Sequence, residues 1–266
     1  MLTLVRCGTF GDSDISITTR HSPLAFAVDR GYETVTKFLL SDLHVDCNRQ
    51  DRDGFTPLIK AAREGREKIV PLLLECAQID VNLQCSAGRS ALSYAADKGH
   101  EEVCKQLLQH QKTKANLRDK RGRTAFFYAS MSGQEAIVDL FLKIDGIDIM
   151  SRDTVSQTAL SYATMNGHED IVSRLLGAKQ VDINSQDNIH GRTPLIFALE
   201  NGYHNIARLL LMRPDIDVNI CTKAGKSPLD FARRGGMQEE TNMIARLIRA
   251  KRHCTSSVSK LSEADN

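Results

Sequence analysis

The 266-residue chain lacks the features that mark several common classes of protein. It has no apolar run of about 18 residues, so we expect no membrane-spanning helix. It contains no Cys-x-x-Cys or His-x-x-x-His pair and no glycine-rich phosphate loop, so the sequence predicts neither a metal nor a cofactor. Aromatic residues make up only 5% of the chain and the formal net charge is +2, which argues against nucleic-acid binding.

Cysteine usage indicates the cellular compartment, and the placement of serine and histidine argues against catalysis. The seven cysteines are an odd number without disulfide-like spacing, which is typical of a reducing compartment and predicts a cytoplasmic or nuclear protein. Serine and histidine are plentiful, but no single Ser stands apart from its equivalents in the repeat described below, whereas a catalytic residue should break such a repeat. The sequence therefore predicts a protein that is not an enzyme.

What the chain does contain is one short pattern that occurs seven times. Each copy opens with Ser or Thr and has Gly nine residues later. The opening residues are Ser22, Thr56, Ser90, Thr124, Thr158, Thr193 and Ser227. The glycines are Gly31, Gly65, Gly99, Gly133, Gly167, Gly202 and Gly236. Both series advance in steps of 34 residues with one step of 35, which indicates an array of similar small units.

Each copy predicts two short helices. The Ser or Thr can accept an unpaired amide at a helix start, Pro follows it in four copies, and Gly can take the left-handed conformation that ends a helix. The first helix is therefore about eight residues long. A second helix is indicated by Val or Ile ahead of two large apolar residues, as in Val103 before Leu107 and Leu108. Helices shorter than about 12–15 residues are marginal alone, so these must bury their apolar faces on neighbouring units.

A loop joins each unit to the next. Segments such as Ile79-Asp80-Val81-Asn82 alternate apolar and polar residues and precede turn-forming residues, which predicts a small hairpin or β-turn. We expect the Asn and Asp side chains of these loops to bond local backbone.

Turn, capped helix, Gly, second helix and Asp-Val-Asn loop together resemble the ankyrin repeat family, and more specifically fungal-type ankyrin arrays, over about residues 14–250. The resemblance implies an all-α repeat solenoid of helix-turn-helix units with β-turn or hairpin loops, elongated and curved. Seven repeats over 20–252 would begin near residues 20, 52, 86, 120, 154, 188 and 223. Residues 1–19 would belong to a partial preceding repeat and 253–266 to a disordered polar tail. The family's His after Thr-Pro-Leu is replaced, for example by Ile59, which predicts weaker polar bonding between repeats.

In the ankyrin family, partners usually lie in a concave groove made by the turn tips and the first helices. Carried over by position, the resemblance implies that the partner-binding residues are Arg52, Phe55, Arg89, Lys120, Arg121, Arg123, Met131, Met165, Ile189, His190, Arg192, Lys223 and Lys226.

The basic residues of the turn tips allow two interpretations. An Arg or Lys after the turn Gly is common in the family and need not indicate partner binding. Alternatively, Lys120, Arg121 and Arg123 form a positive centre that attracts an acidic segment of a protein. Phe127 and Tyr128, in the most irregular unit, are candidates for the energetic centre of binding.

These patterns predict a non-enzymatic scaffold that binds a partner protein through the groove and the turn tips, without indicating an oligomeric state. The alternative is that the chain is the ligand-recognition portion of a larger signalling or enzymatic protein with several domains.

Overall fold

A computed structural model describes residues 22–42, 44–178 and 181–262, with side chains as far as residue 250. This part of the chain forms fourteen α-helices in seven successive pairs and contains no β-strand. The chain divides into two compact units, residues 1–129 with 143–147 and residues 130–142 with 148–266. The partial repeat predicted at 1–19 lies outside the described residues.

Unit 1 holds the first helix pairs in two rows. Helices α1, α3 and α5 pack side by side, α2, α4 and α6 form the second row, and each helix also packs on its own partner. The core lies between the rows, where Leu58 and Ala62 face the same interior as Ile69 and Leu73, all at most 1% exposed. The helices are α1 (Pro23–Arg30), α2 (Glu33–Leu40), α3 (Pro57–Arg63), α4 (Ile69–Leu74), α5 (Ala91–Lys98), α6 (Glu101–Gln109) and the first part of α7 (Ala125–Met131).

Unit 2 repeats the same arrangement. Helices α9, α11 and α13 form one row, and α8, α10, α12 and α14 form the other. Leu195 and Ala198 of the first row and Ile206 and Leu210 of the second are at most 2% exposed. The helices are α8 (Glu135–Leu142), α9 (Ala159–Met165), α10 (Glu169–Gly177), α11 (Pro194–Asn201), α12 (His204–Leu211), α13 (Pro228–Arg234) and α14 (Gln238–Ser262).

Local signals fix both ends of every first helix, as the sequence predicts. In all seven repeats the side chain of the opening Ser or Thr accepts the amide three residues later, at 3.1–3.3 Å. All seven marker glycines have a left-handed backbone, with φ between +64° and +80°. The first helices are therefore held to seven or eight residues.

Four of the marker glycines, Gly31, Gly65, Gly133 and Gly167, also receive a side chain of the next repeat. His100 Nε2 donates to the carbonyl oxygen of Arg63 at 3.1 Å, and a Cβ added at Gly65 would lie 2.5 Å from the His100 ring. His168 makes the same bond to Met131 at 3.0 Å and covers Gly133 of the preceding repeat in the same way. At these places the glycine is needed both for its backbone conformation and for close packing between repeats.

Loop side chains add polar bonds between repeats. Asn82 Nδ2 donates to the Lys112 carbonyl at 2.7 Å, and Asn82 Oδ1 accepts the Lys114 amide at 2.9 Å. Gln50 Nε2 donates to the carbonyl of Gly54 in its own turn and to that of Gln84 in the next repeat. Asn and Gln side chains thus supply polar contacts between repeats in which the family's His is replaced.

In four repeats the long turn is bonded to a side chain of the helix that follows it. Asp51 Oδ1 accepts two amides of its own turn, and Asp51 Oδ2 lies 2.8 Å from Lys60 Nζ. Burial acts to raise the pKa of Asp51, but the bonds from Lys60 and from the amides outweigh it, so the pKa lies below its ordinary 3.8. This stabilisation is present above pH 3.8 and is lost as the pH falls through the lower, folded-state pKa. In another repeat, Tyr128 replaces the Lys and its hydroxyl donates to Asp119 at 2.5 Å.

The last helix is longer than the sequence predicts. Helix α14 runs from Gln238 to Ser262, so residues 253–262, which were expected to be disordered, are helical, while 263–266 lie outside the described residues. No Gly or Pro follows Gly236, so the chain carries no local signal that would end the helix.

Replacing Gly65 by Ala tests the close packing between repeats, with Gly202→Ala as the matched control. Both glycines have positive φ, but an added Cβ meets nothing within 4 Å at Gly202. We expect the free energy of unfolding to fall by about 1 kcal/mol in Gly202→Ala, from the backbone alone. Gly65→Ala should cost about 1–3 kcal/mol more, because the His100 ring must move. Urea unfolding followed by circular dichroism measures both values; equal losses would contradict the packing role.

The buried Lys60–Asp51 pair is tested by two substitutions of similar size. Lys60→Phe removes the cation from a buried carboxylate and should destabilise the chain by about 3 kcal/mol. Lys60→Tyr should cost less than half of that, because a tyrosine in the equivalent place donates to Asp119. Urea unfolding measures the free energy of unfolding of both variants. A Tyr variant as unstable as the Phe variant would refute the hydrogen-bond explanation.

Candidate functional site

Within each unit, backbone bonds set the turn tips side by side. In unit 1 the Lys120 amide donates to the Ala87 carbonyl at 3.2 Å, and in unit 2 the Lys223 amide donates to the His190 carbonyl at 2.8 Å. Residues at equivalent places in successive turns are therefore neighbours. The binding positions implied by the family resemblance require this arrangement.

In unit 1, three of the predicted binding residues are exposed. Arg52, Lys120 and Arg121 lie at turn tips with their side chains in solvent. Arg123 is half-buried, with its guanidinium carbon 5.5 Å from the centre of the Phe127 ring. The predicted positive centre thus presents Lys120 and Arg121 to solvent, while Arg123 also packs on its own repeat.

Arg89 and Phe55, predicted to bind a partner, are instead largely engaged within unit 1. The guanidinium carbon of Arg89 lies 3.9 Å from the ring centres of both Tyr94 and Tyr128, and its Nη2 is 2.9 Å from Asp97 Oδ2. Only 15% of the Arg89 side chain is exposed. Phe55 is half-buried, with its ring centre 5.5 Å from that of Tyr94. The structure gives Arg89 a packing role that the repeat pattern does not show.

The aromatic candidates for an energetic centre are buried. Phe127 is 0% exposed and Tyr128 is 5% exposed. Burial, reinforced by the hydrogen bond to Asp119, raises the pKa of Tyr128 to about 12, so its hydroxyl stays protonated and continues to donate at neutral pH. The prediction that these residues offer binding surface is wrong, because both are buried and Tyr128 is engaged by Asp119 through its hydroxyl and by Arg89 over its ring.

In unit 2, the predicted apolar residues differ in exposure. Met131 and Met165 are half-buried at the ends of α7 and α9, and their carbonyl groups accept side-chain bonds from Asn166 and Asn201 of unit 2. Ile189 is 54% exposed at the tip of the one turn that carries an extra residue. Of these three, Ile189 is the residue most open to a partner.

Four predicted residues of unit 2 come together around one cleft. Its volume is about 380 Å³, and it opens between the last two turns and the first helices that follow them. It is lined by His190, Arg192, Glu200, Thr222, Lys223, Ala224, Lys226, Phe231 and Arg234. Sequence reasoning chose His190, Arg192, Lys223 and Lys226 as binding residues. It placed Arg234 at a groove position without choosing it, and it did not single out Phe231. Arg234 could have been chosen, because it lies eight residues after Lys226, a spacing that pairs side chains in two other repeats.

The cleft is strongly basic. Arg192 Nε lies 3.3 Å from Glu200 Oε2, and Lys223 Nζ donates to the Asn188 carbonyl. The side chains of His190, Lys226 and Arg234 are exposed and make no hydrogen bond or ion pair with any described residue. Asp230 attracts Lys226 electrostatically. Its Oδ2, however, is bonded to the amide and hydroxyl of Ser227 at 2.8 and 2.7 Å.

Over residues 22–42, 44–178 and 181–262, no group of three or more His, Cys, Asp or Glu side chains is arranged to hold a metal ion. None of the helices described is long and apolar enough to cross a membrane.

Comparison with known proteins agrees with the repeat architecture. A family model described as ankyrin repeats (3 copies) matches residues 2–85, 77–153 and 150–223, which together cover most of the chain. No curated protein matches the chain significantly. The paired short helices, their capped starts, their glycine ends and this match lead to one conclusion: the chain belongs to the ankyrin repeat family.

Proposed function

We propose that this chain is a non-enzymatic scaffold that binds a partner protein through its turn tips and first helices. Ankyrin repeats are generally protein-interaction modules. The observation that carries the proposal is the basic cleft of unit 2, where four residues predicted from the repeat pattern line one opening. An acidic protein segment is the partner that this charge favours.

The turns are suited to binding because they are held in place before a partner arrives. Asp187 accepts the amides of Ile189, His190 and Arg192 at 2.6–2.9 Å, and Gln186 bonds both its own turn and the next repeat. A surface that is already ordered loses little conformational entropy on binding, which favours affinity.

The cleft offers no arrangement for a chemical reaction. Thr222 is the one hydroxyl-bearing residue that lines it, and its Oγ1 is bonded to the backbone of Lys226 in its own turn. The remaining polar side chains are cationic groups, His190 and the ion-paired Glu200. Such a lining can attract and hold an anionic group, and we propose no reaction.

The double variant Lys223→Glu/Lys226→Glu tests this function. Arg246→Glu/Arg249→Glu is the matched control, because it changes the net charge by the same amount at exposed positions of α14. We expect proteins captured from native cell extract by the wild-type chain to bind the cleft variant about tenfold more weakly, with a smaller dependence on salt. Binding to the control variant should be close to that of the wild type. Affinities are measured by surface plasmon resonance on the captured partners.

Equal affinity of every captured partner for all three proteins would contradict binding at the turn tips of unit 2. Failure of the wild-type chain to retain any protein above the bare resin would contradict the scaffold function itself.

A further inference from the structure

In two repeats, the cation that follows the turn Gly pairs with an acid eight residues later. In unit 1, Arg89 pairs with Asp97 at 2.9 Å. In unit 2, Arg192 pairs with Glu200 at 3.3 Å. In both cases a carboxylate from the first helix neutralises a cation from the turn.

The last repeat breaks this pairing. Its turn cation is Lys226, and eight residues later stands Arg234 in place of an acid. Both side chains are exposed, both line the cleft, and neither forms an ion pair with a described residue. The acids that neutralise Arg89 and Arg192 therefore have no counterpart in the last repeat, where Asp230 attracts Lys226 without forming an ion pair.

Four cations line a single cleft and are not distributed along an extended groove. Arg192, Lys223, Lys226 and Arg234 line the same cleft of about 380 Å³, and its one carboxylate, Glu200, is taken by Arg192. A run of acidic residues is best matched by cations distributed along a groove. A compact group with close to two negative charges is better matched by cations that surround a single point. A phosphate monoester has about −1.5 to −2 charges at pH 7 and three strong acceptor oxygens.

We propose that this cleft binds a phosphorylated serine or threonine side chain in a segment of the partner protein. Arg234 supplies the planar fork that pairs with phosphate oxygens, and Lys226 supplies a point charge. Phe231 and Ala224 give the apolar contact for the flanking residues of the segment. Ile189, next to His190 at the turn tip, extends this contact outward. The inference rests on the proposed function, since the phosphate would be carried by the bound partner.

Fluorescence polarisation with the purified full chain tests the proposal directly. Three degenerate nonapeptide libraries are compared, which carry phosphoserine, serine or glutamate at the fixed central position. We expect the phosphoserine library to bind at least about tenfold more tightly than the other two, which corresponds to one charged hydrogen bond or more. Arg234→Ala and Lys226→Ala should each lose about tenfold of that affinity.

Arg233→Ala is the matched control, because Arg233 is an exposed arginine on the same helix that does not line the cleft. It should bind the phosphoserine library as the wild type does, and unchanged urea midpoints show that the variants are folded. Equal affinity for phosphoserine and glutamate libraries, no binding of any library, or an equal loss in Arg233→Ala would overturn the proposal. The captured partners could instead depend on Lys223 and Lys226 but not on phosphorylation. That result would contradict phosphate binding and would still support the scaffold function.

Discussion

Packing between neighbouring repeats is the constraint on which the structure depends. Every first helix has only seven or eight residues, too few to persist alone in water, so each one depends on packing against its neighbours. The contact of His100 with the backbone around Gly65 shows how closely the repeats approach. This approach fixes the 34-residue register, and the register in turn places residues of successive turns next to each other.

A fixed register lets single substitutions change the surface without changing the fold. The position occupied by Arg89 in one repeat and by Arg192 in another keeps the same geometry, and each of these cations has an acid eight residues later. Where Arg234 stands in place of that acid, the backbone of the repeat is unchanged and the charge balance of the cleft is reversed. We therefore propose that recognition in this chain arises from departures from the repeat, whereas stability arises from the residues that follow it.

The sequence predicts most of the fold because the deciding interactions are local. Thr56 caps a helix through an amide three residues away, and Gly65 ends it through its own backbone. The binding surface was harder to predict, because exposure depends on contacts with other parts of a unit. Arg89 is held between two tyrosines, one of which, Tyr128, belongs to the following repeat. Arg234 was not chosen as a binding residue, because its importance lies in the absence of a paired acid, which becomes visible only once the eight-residue pairing is known.

Hydrogen–deuterium exchange of the chain with and without a bound partner protein is the most direct test of the central claim, that recognition lies on the turn and first-helix side. The account predicts that added protection on binding falls on the turns around residues 186–192 and 220–227 and on α13. Protection confined to α10, α12 and α14, the second helices of the same repeats, would contradict it.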